Sequence, residues 1–423
     1  MSVRTTLIAI LALAITVTAA SGAQQTDPNI QRALSVLRAV PLVDGHNDLP
    51  WVIRQNATAP RDVGRYDLRK TVTGHTDIER LRRGMVGAQF WSVYIPGDMR
   101  DSGFTRVQLE QIDIAHQVIA RYPDQLMWAH NVSDIWSAYG QGRIASLLGV
   151  EGGHAIENSL GALRTYYALG VRYMTLTHNA TIDWADAAAD SAKHGGLTEF
   201  GKEVVREMNR MGMMVDLSHV SPGTMSDALD VAQAPVIFSH SSARGVTEHV
   251  RNVPDSILRR LPRNGGVVMV TFVPGFVSQA VADHEKKRAD VAADIARRFR
   301  GDSATQRREL ASWLGANIAP RATLAQVADH VEYVRRVAGI DHVGIGGDFD
   351  GISSVVVGLE DVATYPALLA ELSRRGWSEA DLRRLAGENL LRALREAEVI
   401  AARLQRERGP STKTIRELDG PKR

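Results

Sequence analysis

From Pro41 onward the chain repeats one pattern: a short, almost wholly apolar run, then a longer amphipathic stretch, then another apolar run. Runs without polar/apolar alternation suit strands buried on both faces, as in parallel sheets. They fall at 41–45, 88–95, 144–150, 171–176, 213–217, 235–238, 267–272 and 343–346, with helical patterns such as 106–121, 159–169, 198–211 and 222–231 between them. Eight such strands alternating with helices predict an α/β fold of the TIM-type (β/α)8 barrel class. An open doubly wound sheet would place a glycine-rich phosphate loop after an early strand, and the chain has none. One segment departs from the repeat. Residues 276–321 read as a helical insertion between the seventh and eighth strands, with solvated charge runs such as Glu285-Lys286-Lys287-Arg288.

The ends of the chain read differently from its middle. Arg4, the uncharged apolar run 7–20 and the small residues Ser21-Gly22-Ala23 form a signal-peptide pattern over residues 1–23. The run falls short of the roughly 20 apolar residues that span a bilayer; an uncleaved membrane anchor is the alternative reading. Residues 24–40 form a lead-in, 41–400 the barrel domain, and 401–423 a polar, charged tail expected to be disordered. An exported protein, periplasmic or secreted and without a membrane anchor after cleavage, is therefore expected. There is no cysteine, which excludes disulfides, thiolate metal sites and cysteine nucleophiles. Any metal must be held by His and carboxylates. With 50 Lys and Arg against 48 Asp and Glu, the formal charge is only +2. No basic stripe is interleaved with stacking aromatics, so no nucleic-acid partner is expected.

Barrels of this class collect active-site groups at the C-terminal ends of their strands. The first strand ends in Asp44-Gly45-His46-Asn47-Asp48, where residues two apart in extended backbone share a side and can share a metal ion. The third ends in Glu151 flanked by glycines, an improbable core residue unless paired or ligating. The fourth delivers His178, the fifth His219, the sixth His240, and the eighth Asp348 and Asp350. Singly, a histidine closing an apolar run is more often a satisfied core residue than a ligand. Six of eight strands delivering His or acid at one end is a different matter. The N/O ligand set suits zinc, with manganese or iron open by the same chemistry.

At these strings the chain resembles the renal (membrane) dipeptidase family, zinc peptidases related to the amidohydrolase barrels. The resemblance runs from about Pro41 to Glu396 through Asp44-Gly45-His46-Asn47-Asp48-Leu49-Pro50-Trp51, Gln89-Phe90-Trp91-Ser92-Val93-Tyr94 and Gly149-Val150-Glu151-Gly152-Gly153-His154. It continues in Phe238-Ser239-His240-Ser241-Ser242-Ala243, Arg251-Asn252-Val253-Pro254-Asp255 and Gly347-Asp348-Phe349-Asp350-Gly351. It implies two zinc ions per chain, one on His46 and Asp48, the other on His219 and His240, with Glu151 bridging both. It further implies a hydroxide between the metals as nucleophile, His178 on substrate and stabilising the tetrahedral oxyanion, and Asp348 as acid/base. Arg251 then grips the carboxylate of a small dipeptide substrate, for which a planar guanidinium is suited.

The chain also departs from the mammalian members, which have disulfides, a C-terminal lipid anchor, and a tyrosine near Thr271-Phe272-Val273-Pro274; it has none of these there. The insertion is longer than the mammalian connection, and a homodimer is compatible with the reading. Two other functions stand beside the dipeptidase. A barrel hydrolase of another amide, such as a β-lactam, gains nothing from Arg251 unless its substrate carries a carboxylate. A binding protein on a retired scaffold predicts loss of the ligands or of Asp348, and all are retained.

Overall fold

The computed structural model describes residues 27–99 and 103–421. The segment read as a signal peptide, 1–23, lies outside them. Each apolar run becomes a strand whose residues are buried on both faces. The strands are β1 (Leu42–Asn47), β2 (Val86–Ser92), β3 (Leu126–Trp128), β4 (Ile144–Glu151), β5 (Val171–Thr175), β6 (Met214–Asp216), β7 (Ile237–Ser241), β8 (Val267–Val270) and β9 (Val343–Ile345). All pairings between them are parallel. β1 pairs with both β2 and β9, and β2 skips β3 to pair with β4, which closes a ring of eight strands. The fold is thus the expected TIM-type (β/α)8 barrel. β3 stands outside the ring, leaning on Ile144 to Ser146 of β4, along the edge that β5 takes over from Leu148. Its three residues, Leu-Met-Trp, are too few to show a period, and the sequence pattern does not reveal it.

One apolar cluster joins Val43, Phe90, Leu147, Tyr173, Met214, Ile237 and Met269, from seven ring strands. Side chains from so many strands of a closed ring meet only inside it, so the barrel is a filled core and not a pore. A larger cluster packs the helices against the outer face. Lead-in residues begin a helix at Pro28–Leu37, with Pro28 in its first turn and the Asp27 carboxylate accepting from Asn29 N at 2.9 Å. It packs on the helix Tyr365–Arg374, where Ser373 donates to Asn29 at 2.9 Å.

The insertion is a hairpin of two helices, Gln279–Arg298 and Ser303–Ala316, preceded by a single turn at Pro274–Val277. Only Val281, Ala282 and Ile295 of the first helix are buried, and none of the second. The tail corrects an expectation. Residues 401–421 are not an irregular extension: the last long helix runs on through Asn389–Glu407, and a further turn forms at Ile415–Asp419. That turn is held by a capping box between Thr414 and Glu417. Asp419 accepts from Thr198 Oγ1 at 2.6 Å and from Phe200 N, so its charge sits at the N-terminus of the helix Glu199–Met211. Polar composition suggested disorder because the few apolar residues that dock the tail, Ile415 and Leu418, and the hydrogen bonds of Asp419 find their partners far away in sequence. Among the described residues, no helix is long and apolar enough to cross a membrane.

Candidate active site

Six ring strands deliver the predicted residues to one end of the barrel. Glu151 ends β4 and His240 lies within β7, while His178, His219 and Asp348 follow β5, β6 and β9 by three residues. After β1 the backbone does not stay extended: Asp48 turns into the N-cap position of the helix Leu49–Arg54 without a side-chain capping bond. His46 and Asp48 still meet, with Nε2 and Oδ2 3.2 Å apart. Glu151 lies at the centre. Its Oε1 is 2.9 Å from His219 Nε2, 3.5 Å from His240 Nε2 and 3.7 Å from His178 Nε2, and its Oε2 is 3.6 Å from His46 Nε2. His46, Glu151 and His240 form one group able to hold an ion; Glu151, His178 and His219 form another; His46, Asp48 and Asp348 a third.

The other nitrogen of each buried imidazole is fixed by a partner. Tyr173 reaches through the barrel interior, where its hydroxyl donates to Gly45 O at 3.1 Å and so accepts from His46 Nδ1 at 2.9 Å. The ring has room because β4 carries Gly149 beside it; a Cβ there would overlap the phenol. Ser239 donates to Asp216 at 2.6 Å, which leaves its oxygen to accept from His240 Nδ1 at 2.8 Å. Asn179 Oδ1 accepts from His219 Nδ1 at 3.0 Å. Burial first, with Arg251 and neighbouring histidines, holds His219 and His240 well below the ordinary imidazole range, so each is neutral. Each neutral ring then keeps its proton on Nδ1 and turns an Nε2 lone pair inward, and those two nitrogens lie 2.9 Å apart. Two lone pairs at that separation repel unless a cation lies against both.

The carboxylates point the same way. Burial opposes the charge on Glu151, yet His46, His178 and His219 keep its carboxyl well below the usual range. Burial likewise pulls His46 down, but Tyr173, Asp48 and Glu151 outweigh it and raise the ring well above its ordinary value. Asp348 is pushed well above the carboxylate range by burial, reinforced by Asp48 and Glu151 and opposed by His46 and Arg251. The local field therefore favours a cation. With His46 Nε2 and Asp48 Oδ1 buried and lacking hydrogen-bond partners, the donor set fits a metal centre of nitrogen and oxygen ligands.

Beside these groups is a cavity of about 430 Å³, walled by Trp51, Tyr94, Arg251, Phe276, Asp348 and Ser353 among others. A second space of about 880 Å³ adjoins it, sharing Tyr94, His178 and Asn179. Arg251 is 5% exposed; its Nε and Nη2 have no hydrogen-bond partner and its guanidinium lies 5.0 Å from the Phe276 ring. Burial lowers its pKa to about 10, so it stays charged at neutral pH. His178 is half-buried against Tyr94 and His219, at ring separations of 4.8 and 4.4 Å.

Sequence reading missed the residues that orient the ligands. Tyr173, Asp216, Ser239 and Asn179 lie within or just after apolar strands and look like core; Asp216, an acid ending the run Met-Val-Asp, was the one available signal. Asp44 is fully buried, accepts from Gln89 at 2.7 Å and from Gly347 N at 2.7 Å, and staples β1 to the loop after β9. Asp350 accepts from His75 N at 2.6 Å while its own N donates to His75 Nδ1 at 2.9 Å. His75 thereby clamps the loop in which Asp348 and Asp350 take left-handed backbone, φ 61° and 66°.

Barrel, clustered His and carboxylate ends, and buried arginine together define a metal-dependent hydrolase of the (β/α)8 type. Residues 30–408 match the family model described as membrane dipeptidase, peptidase family M19. Dipeptidase verJ of Clonostachys rogersoniana is 42% identical over 390 residues, covering 90% of each chain. The chain belongs to the membrane dipeptidase family and is an enzyme of the metallo-dipeptidase type. Among solved structures, the probable dipeptidase PvdM of Pseudomonas aeruginosa aligns with a TM-score of 0.76 at 24% identity, over 88% of this chain and 99% of that one. A metallo peptidase of Rhodobacter sphaeroides, liganded with a phosphinate mimic of the dipeptide L-Ala-D-Ala, aligns at 0.69 and 23%, over 85% and 99%. At these identities the two share the fold.

Proposed function

We propose that the chain is an exported, zinc-dependent dipeptidase that hydrolyses free dipeptides. The observation that carries this is Arg251: a buried cation with two unpartnered nitrogens, facing a cavity whose other wall is the His and carboxylate cluster. His46 and Asp48 would hold one zinc, His219 and His240 a second, and Glu151 both, since its two oxygens face different histidines. Zinc bound there supplies Lewis acidity, lowering the pKa of a water and polarising a carbonyl.

The chain's own groups do the rest. Arg251 pairs with the C-terminal carboxylate and fixes its distance from the scissile bond, which limits the substrate to two residues. Asp348, lining the cavity beside His46 and Asp48, takes the proton of the attacking water and returns it to the leaving amine. His178, at the open side of the cluster, donates to the oxyanion of the tetrahedral intermediate. Export is supported by the pattern in residues 1–23, whose removal leaves a chain starting near Gln24.

Arg251→Ala is the test. It should raise KM for free dipeptides by about 10²-fold, the scale of a lost buried charge-assisted pair. C-terminally amidated dipeptides, poor substrates already, should be little changed. Steady-state kinetics on matched pairs, with and without chelator, read this out. Equal losses on both substrates would rule out carboxylate recognition, and chelator-insensitive turnover would rule out the metal.

A further inference from the structure

The insertion brings an acid to the cavity that the proposed chemistry does not use. Glu285, in the second turn of the helix Gln279–Arg298, lines the same 430 Å³ space as Arg251. Of the carboxylates there, Asp48, Glu151 and Asp348 belong to the metal cluster and Asp350 is held by His75. Glu285 is exposed at the mouth, and among the described residues no basic group closes an ion pair with it. Partial desolvation of its carboxyl raises its pKa, with Arg288 and His284 near enough only to draw it partly back.

Its location relative to Arg251 is what gives it a role. The Glu285 carboxylate packs on the Cα of Gly275, so closely that a Cβ there would lie 3.0 Å from Glu285 Cδ. The next residue is Phe276, whose ring faces the Arg251 guanidinium at 5.0 Å and stacks on His249 at 4.4 Å. Asn252 pins Phe276 by donating to its carbonyl at 2.8 Å. Arg251, Phe276 and Glu285 thus follow one another along one wall: cation, aromatic face, anion. A residue whose carboxylate is on Arg251 carries its side chain from the next carbon, along that wall. An apolar stem would run past the edge of the Phe276 ring and a positive head would reach Glu285, the usual division of Lys and Arg side chains.

We propose that Glu285 is a specificity residue, selecting dipeptides whose second residue carries a cationic side chain and disfavouring those whose second residue is acidic. This rests on the dipeptidase reading, in which Arg251 holds the substrate carboxylate. The experiment is kcat/KM of the zinc-loaded full chain on Ala-Lys, Ala-norleucine and Ala-Glu, for the wild type, Glu285→Gln and Glu285→Lys. Wild type should prefer Lys to norleucine by about fivefold, the scale of a partly exposed ion pair. Glu285→Gln should bring that ratio to about one, and Glu285→Lys should favour Ala-Glu over Ala-norleucine. A residue that only packs the helix on Gly275 would change all three substrates alike and leave the ratios unmoved. Ratios unchanged in Glu285→Gln, or a wild type indifferent to Lys, overturn the assignment while hydrolysis of Ala-norleucine leaves the dipeptidase reading standing. No turnover of any dipeptide overturns both.

Discussion

Tyr173 occupies the barrel axis with a hydroxyl committed in two directions, and it does for His46 what Ser239 does for His240 and Asn179 for His219. In each case a neutral group draws the proton to Nδ1 and leaves Nε2 free to take a metal. Partners of this kind are worth 10–100-fold in metal affinity at comparable sites. Tyr173→Phe keeps the ring that fills the barrel and removes only the hydroxyl. The variant should fold normally and bind metal about tenfold more weakly, as measured by competition with a graded chelator. Unchanged affinity would show that the hydroxyl serves packing alone. The residues that cluster at the barrel end were readable because a polar or charged residue at the end of an apolar strand is conspicuous. Tyr173 was not: a tyrosine inside an apolar run is indistinguishable from core until the strand across the barrel is known, 127 residues away for His46.

Strands were the most readable elements, and for one reason. All eight ring strands are buried on both faces, so each is written as a continuous apolar run, and the closed ring follows from their number. β3 escaped because three residues cannot display a pattern, and the tail was misread because its order depends on partners far away in sequence. Glu207, with its side chain wholly buried on the helix Glu199–Met211, accepts from Arg210 Nη2 at 2.8 Å, from Arg164 at 3.1 Å and from Ser411 N at 3.3 Å. Arg408 meets Glu203 one turn earlier on the same helix. Removing the carboxylate strands Arg210 and takes one anchor from the tail, so Glu207→Ala should cost about 3–5 kcal/mol in chemical denaturation. Burial raises the Glu207 carboxyl, but hydrogen bonds from Arg210, Ser411 and Arg164 outweigh it and hold its pKa below the ordinary value. A lowered folded-state pKa gives stability that is fully present above the unfolded value and lost as pH falls through the folded one. The gap between wild type and variant should therefore narrow in acid, below the usual glutamate range. A gap constant down to pH 3 would mean that packing, not charge, carries the effect.

At the scale of the whole molecule the ring closure and the candidate metal site share one rim. The first and last ring strands are joined at the site's own rim, where Asp48 N donates to Phe349 O at 2.9 Å and Asp348 N to His46 O at 3.2 Å. Asp44 adds its bond to Gly347 N, so residues some 300 apart in sequence meet within one turn of the candidate ligands. The same rim crowds the carboxylates of Asp48 and Asp348 against Gly351, where a Cβ would fall 2.5 Å from Asp348 Oδ1. The hydrogen-bonded frame holds these two carboxyl groups together, and a cation held between them would offset the burial that disfavours charge on Asp348. Metal bound only to the native state stabilises by mass action, about 2.7 kcal/mol at a free concentration 100 times Kd. Chelation should therefore lower the melting temperature of the full chain, and stoichiometric zinc should restore it. His240→Ala, which removes one inward Nε2, should shrink that response well below the wild-type shift. A melting temperature indifferent to chelator in the wild type would show that the rim's hydrogen bonds alone hold the ring closed, and that the metal serves the reaction without serving the fold.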